Sequence, residues 1–331
     1  MGSNSIWVGI SGLDAMIEKV SKVSFVFPGQ ASQYVGMCRE FLESYPPASM
    51  MFDIAESILG IDLQKACLEG PEELLTKTIY AQPAMYVHSC IADRFLAENG
   101  IRPDCAAGHS IGEISALTGA GVVSFEDGLE IVAERSRSMQ EDCDNNPGTM
   151  AAIIGLEIDA INAICDSTDG IVQAANFNSP NQIVVSGEIA AVETLMKKAK
   201  EAGAKRAVRL SVGGAFHSTL MNSTPERLAK LLEAMDFISP EFPVASNVSG
   251  GFYEPNCPVS DYLVRQIQSP VLWSPSVEFM VKWGVNTFIE VGSGNVLQGL
   301  IKRTAPQANL ASFEKPEQID AVRELTLAKT I

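Results

Sequence analysis

The stretch Gly108-His109-Ser110-Ile111-Gly112 constrains the fold of this chain more than any other. Before it, Cys105-Ala106-Ala107 is a run of small apolar residues suited to a buried strand. After it, 111–117 has the composition of a helix, stopped by Gly119 and Gly121. Joining a strand to a helix through Ser110 demands a tight turn, and glycine stands two residues to either side of the serine. The helix N-terminus then aims backbone N–H groups at any negative charge that forms beside Ser110. A glycine-punctuated turn with a structural serine is the bland alternative, since the chain holds 26 glycines. The strand–turn–helix context favours a nucleophile.

Charge narrows the function classes. A formal net charge of −16 argues against nucleic acid and against anionic membrane surfaces as partners. Any anionic substrate must therefore meet a local cationic site. With 46% hydrophobic residues, the 331-residue chain can bury a large core as one domain or two. No apolar run is long enough for a membrane span, and Asp14 and Glu18 sit where a signal peptide would be uncharged. The seven cysteines form no C-x-x-C pair and read as reduced thiols, so a cytoplasmic location without metal ligands is expected.

The order of elements predicts the architecture. Residues 1–21 carry little pattern beyond a short helix at 13–20 and read as an extension. Lys22-Val23-Ser24-Phe25-Val26-Phe27 is an apolar β run cut off by Pro28-Gly29-Gln30, a first strand delivering a loop. Residues 38–100 are mostly helical in pattern, with a long apolar helix at 81–95; another at 126–140 is opened by Ser124 and acidic residues. Residues 148–212 read strand, helix, strand, a turn-rich link at 176–181, strand, helix, strand. That βαββαβ order is the split βαβ of a ferredoxin-like module. Helices at 221–235 and 296–303 and strands at 242–246 and 286–291 then return to the larger unit. Strands alternating with helices predict an α/β class with a mostly parallel sheet. The expected division is 22–147 with 213–310 as the large domain, 148–212 as the small one, and 311–331 as a C-terminal tail.

A nucleophilic serine needs a base, and there are three histidines. His88 lies in the apolar helix and reads as a satisfied core histidine. His109 precedes the serine, so strand alternation turns it elsewhere, toward orienting the turn. His217 follows Gly213-Gly214-Ala215-Phe216 right after the last strand of the small module, where glycines suit a side chain presented to a cleft. His217 is the favoured base. In the hydrolase order the histidine comes near the end, but here a long part with more strands follows His217, so a dyad whose histidine is oriented by a non-acidic group is at least as fitting as a triad. For the oxyanion, the N–H of Ile111 is one donor, and the Gly29-Gln30 loop is placed to give the second.

Four motifs in order extend the match: Phe27-Pro28-Gly29-Gln30-Ala31-Ser32-Gln33, Gly108-His109-Ser110-Ile111-Gly112-Glu113, Ala215-Phe216-His217-Ser218 and Glu290-Val291-Gly292-Ser293-Gly294-Asn295-Val296-Leu297. Over about residues 22–310, the chain resembles the malonyl-CoA:acyl carrier protein transacylases of fatty-acid and polyketide synthesis. The resemblance implies an α/β-hydrolase-like large domain with an inserted ferredoxin-like subdomain. It implies Ser110 as nucleophile, His217 as base, amides of Gln30 and Ile111 as oxyanion hole, and Arg135 as the partner of the malonyl carboxylate. It implies that the backbone carbonyl of Gln266 orients the histidine, and that His109, Asn176, Asn178 and Phe216 belong to the cleft. Phe216 before the histidine goes with malonyl over methylmalonyl.

The chain departs from the family at Ala31 and Ser136, where glycine is usual, and at Ser293, where proline is usual. The implied function is malonyl transfer from malonyl-CoA to the phosphopantetheine thiol of an acyl carrier protein by a monomer, with no metal or redox cofactor. A serine acyl hydrolase is the rival. Lys197, Lys198, Lys200, Lys205, Arg206 and Arg209, with Lys302 and Arg303 further on, could dock the acidic carrier protein or be solvated faces.

Overall fold

The computed structural model describes residues 21–254 and 256–327. The 13–20 helix expectation lies outside them. Among the described residues nine strands form in chain order: β1 (Lys22–Phe27), β2 (Cys105–Gly108), β3 (Gly148–Ile154), β4 (Val172–Ser179), β5 (Gln182–Glu188), β6 (Arg206–Arg209), β7 (Val244–Ala245), β8 (Val285–Val291) and β9 (Asn309–Phe313). They make two sheets. One has the order β7-β2-β1-β8-β9 and is parallel throughout; the other has the order β4-β5-β3-β6 and is antiparallel.

The strands β1, β2 and β8 of the parallel sheet are buried almost throughout, as expected where both faces of a parallel sheet are covered, and so read as apolar runs with little alternation. Its register positions the site. Phe27 pairs with Gly108 and Ala107 with Ala245, so β1, β2 and β7 end level with one another. The loops after them emerge side by side at the carboxyl edge, where open parallel sheets bind ligands. The helix Gly112–Gly119 returns directly against the sheet. A Cβ on Gly112 would lie 2.2 Å from the Phe27 carbonyl oxygen, and one on Gly108 would lie 1.9 Å from Gly112 itself. These two glycines are therefore steric requirements of the turn.

The antiparallel sheet packs the helices Ile158–Asp166 and Ile189–Glu201 on one face, around Ile153, Ile161, Val185, Val192 and Leu195. The order matches the ferredoxin-like expectation. One detail differs. The link expected at 176–181 is mostly strand: β4 continues to Ser179, which pairs with Gln182, and the turn shrinks to Pro180-Asn181. Register shifts lie between Ala174 and Asn176 and between Phe177 and Ser179. Bulges of this kind let polar, turn-forming residues sit in a strand and re-aim their side chains.

The C-terminal boundary at 310 also needs correcting. β9 pairs along its whole length with β8, and the helix Ile319–Leu327 follows it back onto the sheet. Residues 311–327 are thus part of the large unit and not a tail. Phe313 is fully buried and sits between Phe95, stacked at 5.9 Å, and Phe41, edge-on at 6.0 Å. The sequence window gave no sign because Asn309-Leu310-Ala311-Ser312-Phe313 is short and weakly apolar. Phe313→Ala is expected to lower unfolding stability by about 3–5 kcal/mol in urea titration, as for other buried phenylalanines. A loss under about 1 kcal/mol would make this strand peripheral.

Candidate active site

Ser110 stands at the apex between β2 and the Gly112–Gly119 helix with φ +53°. Among the described residues, Ala31, Cys38, Ser110 and His217 are the non-glycine residues with positive φ. Ala31, Ser110 and His217 line one cleft of about 240 Å³. Backbone strain gathered at one place is typical of a functional site. At Ala31, φ +84° is a conformation suited to glycine, the residue usual there.

Ser110 Oγ lies 2.7 Å from His217 Nε2. His217 Nδ1 lies 2.9 Å from the backbone oxygen of Gln266. A carbonyl only accepts, so Nδ1 carries the proton and Nε2 presents its lone pair to the serine. No carboxylate is needed to fix that tautomer. His217 is buried, and its pKa is pulled down to about 3, first by burial and then by the cation of Arg135, with His109 adding to the same direction.

Arg135, on the helix Phe125–Asn145, is fully buried rather than solvated. Its Nη2 donates to Ser110 Oγ at 3.0 Å and to Gln266 Oε1 at 3.0 Å; its Nη1 donates to Gln82 Oε1 at 2.6 Å. Its Nε has no partner among the described residues. The acceptors are all neutral, and burial lowers its pKa to about 10. Glu113 is the nearby carboxylate, one residue removed. It accepts from Gln266 Nε2, from Tyr253 at 2.6 Å and from the Asn247 N–H at 3.1 Å. Gln266 thus uses its carbonyl on His217 and its side chain on Arg135, Glu113 and the Ser110 oxygen.

The remaining expected residues gather at the same cleft. Gln30 and Ile111 line it, on loops held so close that a Cβ on Gly29 would lie 2.8 Å from the His109 oxygen. Asn176, Asn178 and Phe216 line it as well. His109 does not turn away: its Nε2 meets Asn178 Oδ1 at 2.9 Å in the cleft wall. Simple alternation fails because the strand has ended at Gly108 and the left-handed Ser110 follows. His88 is remote, buried, with Nε2 3.0 Å from the Glu314 oxygen. Ser293 in the last motif donates to the Ser32 oxygen at 2.7 Å and so ties its loop to the one carrying Gln30.

Sequence reasoning assigned no role to Gln82, Glu113, Asn247 or Tyr253. Glu113 was visible in the serine motif, where it reads as an ordinary helix-start acid. Gln82 is embedded in an apolar helix, and nothing in its neighbours marks it.

The basic residues separate in space. Lys198 donates to the Ser167 oxygen, and Arg209 pairs with Glu193. Lys205, Arg206 and Arg303 instead surround one pocket of about 320 Å³ with Ser179, Asn181 and Gln182, where the two subdomains meet. Val296 and Leu300 of the helix Val296–Thr304 line the cleft, and Arg303 lies one turn beyond them.

A hydroxyl on a strand–helix elbow, a neutral imidazole on it and an orienting carbonyl are the equipment of a serine enzyme that works on acyl groups. The family model of the acyl transferase domain matches residues 24–328. The malonyl CoA-acyl carrier protein transacylase of Bacillus subtilis is 41% identical over 304 residues, covering 91% of this chain and 96% of that protein. An acyl carrier protein S-malonyltransferase structure from Vibrio cholerae superposes with a TM-score of 0.87 at 40% identity, covering 91% of this chain and all of that one. A malonyl-transacylase solved in complex with a type II polyketide acyl-carrier protein has a TM-score of 0.88 at 38% identity, covering 92% and 100%. The chain belongs to the acyl transferase domain family, and within it to the malonyl-CoA:acyl carrier protein transacylases.

The histidine environment has a pH consequence. Burial and the Arg135 cation both oppose the charged form, so Nε2 keeps its lone pair until the pH approaches 3. An ordinary imidazole would lose it near 6.5. kcat/KM for acyl transfer is therefore expected to stay level from neutrality down to about pH 5, with no acid limb near 6.5. In Arg135→Gln the limb should move upward, because one depressing cause is gone. A wild-type limb at 6.5 in the pH profile would contradict this.

Proposed function

We propose that this chain transfers the malonyl group of malonyl-CoA to the phosphopantetheine thiol of an acyl carrier protein. The carrying observation is Arg135: a buried guanidinium 3.0 Å from the serine hydroxyl, with neutral acceptors and one N–H unpartnered. A buried cation so incompletely compensated is completed by a substrate carboxylate, and malonyl offers one three carbons from the thioester sulfur. The relatives' names support the same substrate and acceptor.

His217 Nε2 takes the Ser110 proton as Oγ attacks the thioester carbonyl. The amides of Gln30 and Ile111 hold the oxyanion. Collapse breaks the C–S bond; the CoA thiolate leaves with the proton from His217, and malonyl-Ser110 remains. The carrier thiol then passes its proton to His217 and attacks the ester. Collapse of this second intermediate breaks the C–O bond and returns the proton to Ser110. Each step exchanges an acyl group between sulfur and oxygen, so the reading needs no metal or redox cofactor. One chain carries every residue involved, so it needs only a monomer, and we place it in the cytoplasm. Phe216, the residue directly before the base and part of the cleft lining, takes the space beside the acyl α-carbon and favours malonyl over methylmalonyl.

Intact mass after incubation with malonyl-CoA should show one malonyl group, on Ser110, discharged by carrier protein and slowly by water. Rapid discharge by water alone would mark a hydrolase instead. A charge-assisted hydrogen bond contributes about 1.5–3 kcal/mol, so Arg135→Ala should lower kcat/KM for malonyl-CoA by roughly ten- to a hundred-fold. Acetyl-CoA, with no carboxylate, should lose far less. An equal fall for both would remove Arg135 from malonyl recognition.

Lys205, Arg206 and Arg303 supply the dock for the acidic carrier, one helix turn from the cleft. Reversing Lys205 and Arg303 to Glu should raise the KM for carrier protein about ten-fold or more and flatten its salt dependence. Self-malonylation from malonyl-CoA should change much less. Unchanged carrier KM would put the dock elsewhere.

A further inference from the structure

We propose that Asn247 is a positioning residue that clamps the backbone on both sides of the nucleophile and holds Ser110 in its left-handed conformation. The inference rests on Ser110 being the acylated residue. Asn247 Oδ1 accepts from the Ser110 N–H at 2.7 Å. Its Nδ2 donates to the Gly108 oxygen at 2.6 Å. Its own N–H donates to Glu113 at 3.1 Å, and its oxygen accepts from the Leu272 N–H at 2.9 Å. Asn247 is 1% exposed, so its own end of each of these bonds is out of water.

The sheet explains the placement. β7 pairs in parallel with β2, with Ala245 beside Ala107. Two residues on, each chain reaches the edge: Asn247 on one side, His109 and Ser110 on the other. The turn there cannot relax to an ordinary conformation, because Gly108 and Gly112 are already at contact. At φ +53° a serine is strained, and glycine, the residue that relieves the strain, would delete the nucleophile. The conformation must therefore be imposed by a neighbour. An amide side chain is suited to it because one end accepts and the other donates. Aspartate keeps the acceptor and loses the donor; alanine loses both.

The clamp has a second effect. The Ser110 N–H is taken up by Asn247 while its Oγ meets His217. The oxyanion is left to the amide of Ile111, next along the helix start, and to the loop of Gln30. Asn247 touches neither Oγ nor Arg135, so its loss should impair the attack and not substrate binding.

The test uses the full chain with Asn247→Asp, equal in size, and Asn247→Ala. Single-turnover malonylation of Ser110 is followed by intact mass and peptide mapping, alongside steady-state kcat and KM for malonyl-CoA. Reaction of Ser110 with phenylmethylsulfonyl fluoride, which has neither carboxylate nor CoA, gives a third readout. Misplacing a reacting group by about an ångström slows reaction up to a hundred-fold, so acylation should slow at least about ten-fold in Asn247→Asp, with sulfonylation slowed in parallel. KM for malonyl-CoA should stay within about two-fold, and the folded baseline should be retained. Wild-type acylation rates in Asn247→Asp would overturn the proposal. So would a KM effect that accounts for the whole loss, or unfolding of both variants, which would make Asn247 a stability residue. Mapping of the wild-type acyl group to a residue other than Ser110 would instead overturn the functional reading beneath it.

Discussion

Ser110 is held at φ +53° at the end of a strand, and much of the large domain is arranged around that one strained residue. The parallel register brings β1, β2 and β7 to the same edge. Gly108 and Gly112 let the helix return within van der Waals distance of the strand. Asn247 then fixes the backbone on either side. A hydroxyl on such an elbow projects clear of the sheet with a helix N-terminus beneath it, which is where charge develops in acyl transfer.

Electrostatics around the serine follow from burial without a contacting acid. Arg135 and His217 share the same hydroxyl, and neither hydrogen-bonds a carboxylate among the described residues. Burial first, and then the Arg135 cation, hold the imidazole neutral. Gln266 joins the two, orienting His217 through its backbone and Arg135 through its side chain, with Glu113 one bond further back. That arrangement places negative charge close enough to moderate the buried guanidinium and too far to satisfy it.

The small sheet supplies function as well as bulk. The chain enters the His217 loop as it leaves β6, and Asn176 and Asn178 reach the cleft from β4. The bulged end of β4 and the two-residue turn behind it also bring Ser179 and Asn181 to the basic pocket. Cleft and pocket are thus joined by one hairpin on one side and by the helix Val296–Thr304 on the other.

Elements that depend on local chemistry can be read from the residues alone. The glycine spacing around Ser110, the parallel-strand apolar runs and the βαββαβ order were legible because each is set by neighbours within a few residues. So was His217, by elimination among three histidines and by its glycine-flanked loop. Ordered motifs shared with a family then pointed to Arg135 and Gln266. Tertiary structure alone decided what those residues touch. Asn247 lies 137 positions from Ser110, and Gln82 lies 53 from Arg135, separations at which no sequence pattern carries contact information. The same holds for Lys205 and Arg206 meeting Arg303, and for β9, whose few residues become a strand because β8 offers them a partner. Hydrogen bonds and burial between distant segments are properties of the packed chain, and composition does not encode them position by position.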